Sequence, residues 1–399
     1  MSSHQDSLEW ARAQDAADPL AHLRREFLFP ERTPLYFAGH SLGLQPRRAR
    51  ESVLEELDDW ARLGVEGHFS ARHPWFSHHE ELTASTARLV GARPHEVVVM
   101  NTLTVNLHLL MVSFYRPRRG KHRLLIEAGA FPSDRYAVAS QARFHGFAPE
   151  DTIVEADDPL RALQERGKEF ALALIGNVNY LSGRAVDMPA LVKAAHERDC
   201  LIGFDLAHGA GNLLLDLHET GADFAAWCNY KYLNAGPGGL GGVFIHERHA
   251  NADLPRFEGW WGHDKARRFE MDPRFRPIRG AEGWQLSNPP ILAMAALRAS
   301  MELFDQATMP ALRRKGEALS GYLQGLLEGV GIEVLTPPQR GSMLTVRLHD
   351  ATKLVEALRA RGAVCDLRPP DIVRLTPAPL YNSFEDVQRL GALLRELHG

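Results

Sequence analysis

Short apolar runs separated by segments with helical spacing form the main pattern of residues 96–245. Such runs are typical of buried strands, and they lie at 96–100, 123–126, 170–175, 200–204, 223–228 and 241–245. The segments between them, such as 133–144 and 189–198, place apolar residues three and four positions apart, which indicates helices. Strands that alternate with helices predict an α/β fold with a mainly parallel sheet covered on both faces.

The pattern differs on either side of this region. Residues 1–35 indicate a helical lead-in, a helix is predicted over Pro74–Val90, and residues 254–290 are typical of a long functional loop. Beyond Ile291, two long helices precede short strands at 333–335, 343–348 and 373–375, which predicts a small α+β domain. We therefore expect an N-terminal segment (1–45) that packs with the small domain, a large domain (46–280) and a small C-terminal domain (281–399).

Composition excludes several classes of function. The chain has 399 residues, 45% of them hydrophobic, and a net charge of -4, so nothing in its charge favours nucleic acid or an anionic membrane as partner. No apolar run approaches the roughly 20 residues of a membrane span, and the N-terminus lacks the apolar core of a signal peptide. The three cysteines form no CxxC pair, which favours the reducing cytoplasm.

Three sequence motifs that could suggest other chemistry fail on spacing or context. His246-Glu-Arg-His249 lacks the HExxH spacing, and His78-His79-Glu80 lies on a predicted helix where adjacent side chains diverge, so no metal site is predicted. The glycine-rich stretch Gly236–Gly242 is not followed by a helix. A dinucleotide-binding fingerprint, and with it a nicotinamide dehydrogenase, is therefore not favoured.

Two of the predicted strands deliver ionisable side chains at their carboxyl ends. Asp205 follows the run 200–204, with His208 just beyond, and Lys231 follows the run 223–228. Ligands of open α/β sheets bind outside the carboxyl ends of the strands, so we expect Asp205 and Lys231 to face one ligand. Such a pair suits pyridoxal 5'-phosphate, because a lysine forms a Schiff base with its aldehyde and an acid pairs with its pyridinium nitrogen.

Longer stretches of the chain resemble the kynureninase family, and they run almost end to end. They are Tyr36–Pro46 (YFAGHSLGLQP), His73–Trp75 (HPW), Asn101–Phe114 (NTLTVNLHLLMVSF), Glu127–Gln141 (EAGAFPSDRYAVASQ), Phe204–Gly242, Gly259–His263 (GWWGH), Leu286–Ile291 (LSNPPI) and Arg374–Ser383 (RLTPAPLYNS). The resemblance implies a large domain of pyridoxal-phosphate fold type I with a mainly parallel sheet, joined to a small α+β C-terminal domain. It also implies a homodimer with shared active sites.

The resemblance further implies which residues hold the cofactor. Lys231 is the Schiff-base lysine, Tyr230 beside it contacts the phosphate or moves protons, and Asp205 pairs with the ring nitrogen. Trp260 and Asn288 match positions that reach the phosphate from the neighbouring subunit. The remaining implied cofactor contacts are Leu103 and Thr104 at a helix start, Phe131 and Asp134 in the FPSD stretch, Ser182, and His208. From the sequence alone, Phe131 is more typical of a core residue.

Substrate contacts are implied in the same way. Arg374 suits bidentate recognition of the substrate carboxylate, while Ser41, His68 and Asn288 match positions that contact the rest of the amino-acid substrate. His40 departs from the family, which often has Asn there, and this bears on recognition of the aryl group.

The activity implied is hydrolytic cleavage of the Cβ–Cγ bond of L-kynurenine, or of its 3-hydroxy form. The products are anthranilate, or 3-hydroxyanthranilate, and L-alanine, in tryptophan catabolism and NAD biosynthesis. A cysteine desulfurase of the same fold is the main alternative, but Cys200, Cys228 and Cys365 do not lie in polar, glycine-rich loops. A scaffold without catalysis is expected to lack Lys231 or Asp205, and both are present.

Overall fold

The computed structural model describes residues 7–398. Side-chain caps start several helices: Ser7 accepts a hydrogen bond from the N–H of Trp10, and Asp187 accepts one from the N–H of Ala190. The helices are α1 (Leu8–Ala17), α2 (Arg47–Leu63), α3 (Gly67–Ser70), α4 (Thr83–Val90), α5 (Leu103–Phe114), α6 (Pro132–Phe144), α7 (Pro149–Thr152), α8 (Pro159–Arg166), α9 (Met188–His196), α10 (Leu217–Thr220), α11 (Ile291–Ala307), α12 (Met309–Gly329), α13 (Ala351–Ala360) and α14 (Phe384–His398).

The strands are short and mostly apolar. They are β1 (Phe27–Leu28), β2 (Leu35–Tyr36), β3 (Gln45–Pro46), β4 (Val97–Met100), β5 (Arg123–Glu127), β6 (Ile153–Ala156), β7 (Phe170–Gly176), β8 (Leu201–Asp205), β9 (Phe224–Cys228), β10 (Gly241–Ile245), β11 (Glu333–Val334), β12 (Leu344–Arg347), β13 (Ala363–Val364), β14 (Asp366–Arg368) and β15 (Ile372–Leu375).

The large sheet has the strand order β4-β10-β9-β8-β7-β5-β6. Strands β9, β8, β7, β5 and β6 run parallel, and β10 is antiparallel to both β4 and β9. Along β4, Val97 and Val99 pack into one core while Val98 and Met100 pack into another, so both faces of the sheet are covered. The predicted α/β class with a mainly parallel sheet is confirmed. Strand β6 was not predicted, because this edge strand is only partly buried and lacks a continuous apolar run.

The C-terminal part forms a second, antiparallel sheet with the order β11-β12-β15-β14. Helices α12, α13 and α14 contribute Leu323, Leu358 and Leu390 to its core, which confirms the predicted α+β layer. Strand β2 pairs with β13 in this part of the chain. Helix α1 packs against α12, where the ring of Trp10 lies 4.7 Å from the ring of Tyr322. The boundaries 1–45, 46–280 and 281–399 stay a prediction, and residues 1–6 and 399 lie outside the described part of the chain.

The predicted helix over Pro74–Val90 is wrong in its first half. Residues His78–Leu82 form a 3-10 helix, and only α4 is α-helical; it ends, as predicted, at Gly91 in the left-handed region (φ 62°). The indole of Trp75 explains the difference, since it packs on Gly67 and donates a 2.9 Å hydrogen bond to Glu56, which holds this segment out of a helix. Among the helices of residues 7–398, none combines the length and apolar composition needed to cross a bilayer.

Candidate active site

A cavity of about 200 Å³ lies at the carboxyl ends of the parallel strands. Glu127, Gly176 and Asp205 end β5, β7 and β8, and Lys231 follows β9. The sequence-based expectation that Asp205 and Lys231 face one crevice is met, because both line this cavity. Its lining comprises Thr102, Leu103, Thr104, Glu127, Phe131, Ser133, Asp134, Gly176, Val178, Tyr180, Asp205, Ala207, His208, Tyr230 and Lys231.

The loop that carries Lys231 is held closely by the N-terminal segment. Gly43 donates its N–H to the carbonyl of Tyr230 at 2.9 Å, and Asn234, with a φ of 52°, donates its N–H to the carbonyl of Lys231 at 3.1 Å. A Cβ at position 43 would overlap the carbonyl oxygen of Lys231, so only glycine permits this approach. The Lys231 Nζ lies 3.2 Å from Nε2 of His208.

Three carboxyl groups crowd one side of the cavity. Asp205 accepts the N–H of Ala207 at 2.7 Å. Burial, then the negative charges of Asp205 and Glu127, hold the pKa of Asp134 well above its usual range. Burial also raises the pKa of Glu127, from 4.5 to about 7. Within residues 7–398, Oδ1 of Asp134 and Oε2 of Glu127 have no hydrogen-bond partner. This side of the cavity therefore suits a ligand that brings a cationic N–H group.

Another part of the lining suits an anion. Helix α5 begins at Leu103, and the first N–H groups of a helix have no intrahelical acceptor, so those of Leu103 and Thr104 are available to an anion. The hydroxyls of Thr104 and Ser133 meet at 2.7 Å, and Ser133 lies in the first turn of α6. Asn101 makes the turn from β4 into α5 with a φ of 47°, which its short polar side chain tolerates.

Between these two parts, Phe131 and Ala207 also line the cavity, and Phe131 is 40% exposed. The Phe131 ring meets the ring of Tyr180 edge-on at 5.1 Å, and Lys231 Nζ lies 5.8 Å from its centroid. An exposed aromatic face above a cavity is a seat for a flat ring. The pocket thus combines carboxylates, an aromatic face and helix N-termini, which are the groups that a pyridine ring with a phosphate requires. These residues fit pyridoxal 5'-phosphate.

The predicted substrate residues lie outside the cavity itself. Arg374 is 2% exposed, pairs with Asp366 at 2.9 Å, and donates from Nη1 to the carbonyl of Tyr180 at 2.6 Å. Arg374 therefore lies directly behind Tyr180, which lines the cavity. Ser182 belongs to the same loop and donates to Oδ1 of Asn179 at 3.1 Å instead of entering the cavity.

The other predicted contacts are not among the residues that line the cavity. Ser41 is exposed, and His68 is partly buried against Trp75, with 5.5 Å between the ring centres. Trp260, 41% exposed, and Asn288, also exposed, are outside the cavity of their own chain. Their contact with a neighbouring subunit stays a prediction.

His40, the residue that departs from the family, lies between the two halves of the site. It is fully buried, accepts from or donates to the hydroxyl of Thr376 at 2.8 Å, and lies 6.4 Å from the ring of His208. Burial, and then Arg374 and Lys231, keep the pKa of His40 well below its usual range, so the imidazole is neutral.

The chain is similar over nearly its whole length to proteins of one family. A family described as "Kynureninase C-terminal domain" matches residues 312–394. A kynureninase of Myxococcus xanthus is 57% identical over 96% of each chain, one of Koribacter versatilis is 51% identical over 95% of each, and one of Christiangramia forsetii is 47% identical over 98% of each.

The chain belongs to the kynureninase family.

As a member of the kynureninase family it is a hydrolase of carbon–carbon bonds that uses pyridoxal 5'-phosphate, as its sequence predicts. Its fold is shared with more distant enzymes. A cysteine desulfurase of Thermococcus onnurineus has a TM-score of 0.77 at 17% identity, covering 94% of this chain and 97% of that one. The cystine C-S lyase C-DES has a TM-score of 0.79, also at 17% identity, covering 92% and 98%. These two likenesses show the fold alone.

The cysteines of this chain do not support desulfurase chemistry. Cys200, Cys228 and Cys365 are all buried. Burial raises the pKa of Cys228 to about 11 and the pKa values of Cys200 and Cys365 to about 12, so none is the accessible thiolate that a desulfurase nucleophile must be.

Several lining residues were missed by the sequence reasoning. Glu127 ends an apolar run as Asp205 does, and that shared position is a signal that identifies both. Ser133 follows Pro132 in the first turn of a predicted helix, where hydroxyls often bind anions. Tyr180 and Thr102 lie on loops without a distinctive pattern, so only the tertiary structure places them at the cavity.

Two groups of histidines and carboxylates also approach each other outside the cavity. Glu96, His218 and His246 meet where three segments join, but the Glu96 carboxylate already accepts the N–H groups of Arg93 and Glu247 at 2.8 Å each. It also lies 3.0 Å from Nδ1 of His218. The Glu96 carboxylate therefore links the three segments, and this link accounts for the approach of the three side chains.

The second group, His79, Glu80 and Glu282, has an internal cation. Nζ of Lys265 lies 2.8 Å from Glu80 and 2.6 Å from Glu282. The ammonium group thus bridges the two carboxylates.

Glu127 makes the stability of the cofactor-free enzyme depend on pH. Its pKa is raised, so between about 4.5 and 7 the folded state holds a proton that the unfolded state has released. The stabilisation is complete below pH 4.5 and is lost as the pH rises through 7, at a cost of at most about 3 kcal/mol. Glu127→Gln cannot ionise. When the pH is raised from 5 to 8, the melting temperature of this variant should therefore rise relative to that of the wild type.

The exposed Glu197 supplies the matched control, since Glu197→Gln should follow the wild type at both pH values. Parallel pH dependence of Glu127→Gln and wild type would mean that this carboxyl is not protonated in the folded protein at pH 5.

Proposed function

We propose that this enzyme adds water across the Cβ–Cγ bond of L-kynurenine, or of its 3-hydroxy form. Anthranilate, or 3-hydroxyanthranilate, and L-alanine are the products. The observation that supports this most is the arrangement of Lys231 in the cofactor cavity, with Arg374 directly behind Tyr180 of the same lining. An α-amino acid whose amine reaches the cofactor can then place its carboxylate toward Arg374 and its side chain toward the open side of the cavity.

Lys231 is the residue that bonds the cofactor at rest and moves the α-proton during the reaction. When bound, pyridoxal 5'-phosphate supplies an electron-withdrawing ring that stabilises negative charge next to the amino nitrogen of the substrate. Burial, and then Lys231 itself, hold the pKa of His208 well below its usual range, so its ring is neutral. Neutral Nε2 of His208, at 3.2 Å, can accept a hydrogen bond from Lys231 and keep the amine aimed at the α-carbon.

Tyr230 is the second proton carrier. Burial, and then the neighbouring Cys228 and Asp205, raise the pKa of Tyr230, so its phenol keeps its hydrogen at neutral pH. A protonated phenol beside the cavity can donate to the β-carbon when the Cβ–Cγ bond breaks, while water supplies the oxygen of the new carboxylate. Asp205, which lines the cavity, would be the partner of the ring nitrogen when the cofactor is bound.

The remaining predicted residues form the outer parts of the site in this proposal. Leu103 and Thr104 bind the phosphate through their N–H groups, with Ser133 as a further hydroxyl. Phe131 packs on the ring and Asp134 bonds near it, while Ser182 supports the neighbouring loop through Asn179. Ser41, His68 and Asn288 contact the substrate. His40 does not line the cavity, so its difference from the family affects the aryl group only through its neighbours.

We also propose that the enzyme is a homodimer with shared active sites. Trp260 and Phe269 meet at 5.5 Å, and Phe269 stacks on Phe76 at 5.7 Å, next to Phe69. Phe69 is 60% exposed and Phe269 is 61% exposed, so these rings form an apolar patch of the kind that marks an interface. A second copy seated on this patch would bring its Trp260 and Asn288 to the cavity.

Mixing two inactive variants tests shared sites directly. Lys231→Ala lacks the cofactor lysine, and Trp260→Ala lacks the contribution of the neighbouring subunit. If sites are shared, a mixture exchanged through mild denaturation should recover activity, because each heterodimer contains one site with both residues intact. Activity that stays at the sum of the two variants, or a monomer in analytical ultracentrifugation, would contradict the proposal.

The reaction is tested by adding L-kynurenine to the cofactor-loaded enzyme and following anthranilate fluorescence. Parallel reactions with 3-hydroxy-L-kynurenine measure the preference between the two forms. If the bound cofactor absorbs but neither compound yields product, the cofactor assignment stands and the substrate assignment is wrong. L-Cysteine would then be the next compound to test.

The cytoplasm is the compartment that we propose for the enzyme. Its three cysteines are all unpaired in the structure, as expected of a protein kept under reducing conditions.

A further inference from the structure

Three side chains form a row across the small-domain sheet, directly behind the cavity. Asp366 on β14 is the cross-strand partner of Arg374 on β15, and Thr345 on β12 is the partner of Arg374 on its other side. Arg374 donates to the carbonyl of Tyr180, and the Thr345 hydroxyl donates to the carbonyl of Leu181 at 2.5 Å. The row therefore holds the loop that lines the cavity.

The hydrogen bonds of Arg374 leave room for one more carboxylate. A guanidinium has five N–H groups. Nε donates to Oδ1 of Asp366 at 3.1 Å, Nη2 lies 2.9 Å from Oδ2, and Nη1 donates to Tyr180. One N–H remains on each terminal nitrogen, and such a pair matches the two oxygens of a carboxylate. The substrate carboxylate can thus bind while Asp366 stays in place.

The charges around Arg374 also favour a bound carboxylate. Nε of Arg368 lies 3.0 Å from Asp366, so two arginines face one carboxylate, while His40, whose Nε2 lies 3.9 Å from Asp366, is neutral. The cluster carries one unbalanced positive charge. A bound carboxylate neutralises that charge, and pairing matters most at Arg374, which is 2% exposed, whereas the side chain of Arg368 is 40% exposed.

We propose that Asp366 is a positioning residue, which presents Arg374 to the carboxylate of the amino-acid substrate, and that Arg368 supplies the balancing charge. The proposal rests on the proposed function, in which Arg374 binds that carboxylate. Asp366 occupies the Nε side of the guanidinium, and Nη1 on the other side reaches the carbonyl of Tyr180, a residue that lines the cavity. Without Asp366, Arg374 keeps its charge but loses its orientation.

Asp366→Ala should raise the KM for L-kynurenine by about 10- to 100-fold, the effect of a lost hydrogen bond to a charged group. The value of kcat should stay within about threefold, because the reacting bonds are elsewhere. Asp366→Asn should fall between Asp366→Ala and the wild type, since its amide oxygen still accepts from Nε. The inhibition constant of kynuramine, which is kynurenine without its carboxylate, should be the same in all three proteins.

Asp371→Asn is the matched control. Asp371 precedes β15 on the same hairpin, pairs with Arg347 at 3.2 Å and has a side chain that is 42% exposed, so its substitution should leave KM unchanged. An unchanged KM in the Asp366 variants, or an equal loss of affinity for kynuramine, would overturn the proposal. If wild type releases no anthranilate, the proposed function fails instead. In that case, binding of L-alanine and of ethylamine to the Asp366 variants and to wild type is measured through the absorbance of the bound cofactor. If the variants bind L-alanine as tightly as wild type does, the inference is overturned.

Discussion

Replacing Lys231 with alanine is expected to abolish catalysis, with kcat reduced by about 10⁴-fold or more, because one side chain serves as both the covalent attachment and the mover of the α-proton. The cavity offers no equivalent amine, since Lys231 is the only lysine among the residues that line it in the described part of the chain. The visible absorbance of the cofactor-loaded protein should also change. Borohydride reduction followed by peptide mass spectrometry should find the cofactor on the Lys231 peptide of the wild type and nowhere in the variant.

Lys193 is the control for this experiment, because it lies on α9 with its side chain largely exposed. Lys193→Ala should retain activity and labelling. Cofactor still attached covalently to Lys231→Ala, or a spectrum identical to that of the wild type, would refute the assignment of Lys231.

Replacing Arg374 with alanine is expected to raise the KM for L-kynurenine by about 100-fold or more, through loss of a paired hydrogen bond to a charged group. The effect on kcat should be smaller. Because Asp366 would lose the buried arginine and keep only the pairing with Arg368, the variant should also unfold at lower temperature. Cofactor binding and melting are therefore measured with the kinetics.

Arg374→Lys separates charge from geometry. A lysine keeps the positive charge, but it cannot bind Asp366 and a substrate carboxylate through parallel pairs of N–H groups, so KM should remain high. Arg347→Ala, which removes an exposed arginine from neighbouring β12, should leave KM unchanged. A normal KM in Arg374→Ala would place the carboxylate elsewhere.

The local sequence was sufficient to predict the elements that depend on residues close to one another along the chain. Fully buried strands such as β4 and β9 are continuous apolar runs, and a parallel sheet requires such runs because helices cover both faces. The same logic places Asp205 and Lys231 at one edge, because the carboxyl ends of parallel strands lie together. The cofactor follows from that pair, and the resemblance of several motifs adds the family.

Other features were decided only by the tertiary structure. The pairing of Asp366 with Arg374 depends on the register of two strands, and a shift of one residue would turn the side chains to opposite faces. The raised pKa of Glu127 depends on burial beside Asp205, and the exposure of Trp260 outside its own cavity depends on the path of residues 254–290. Local patterns record which face of a strand or helix is apolar. Register, burial of charge and the approach of distant segments arise when those faces pack together, and for that reason only the folded structure contains them.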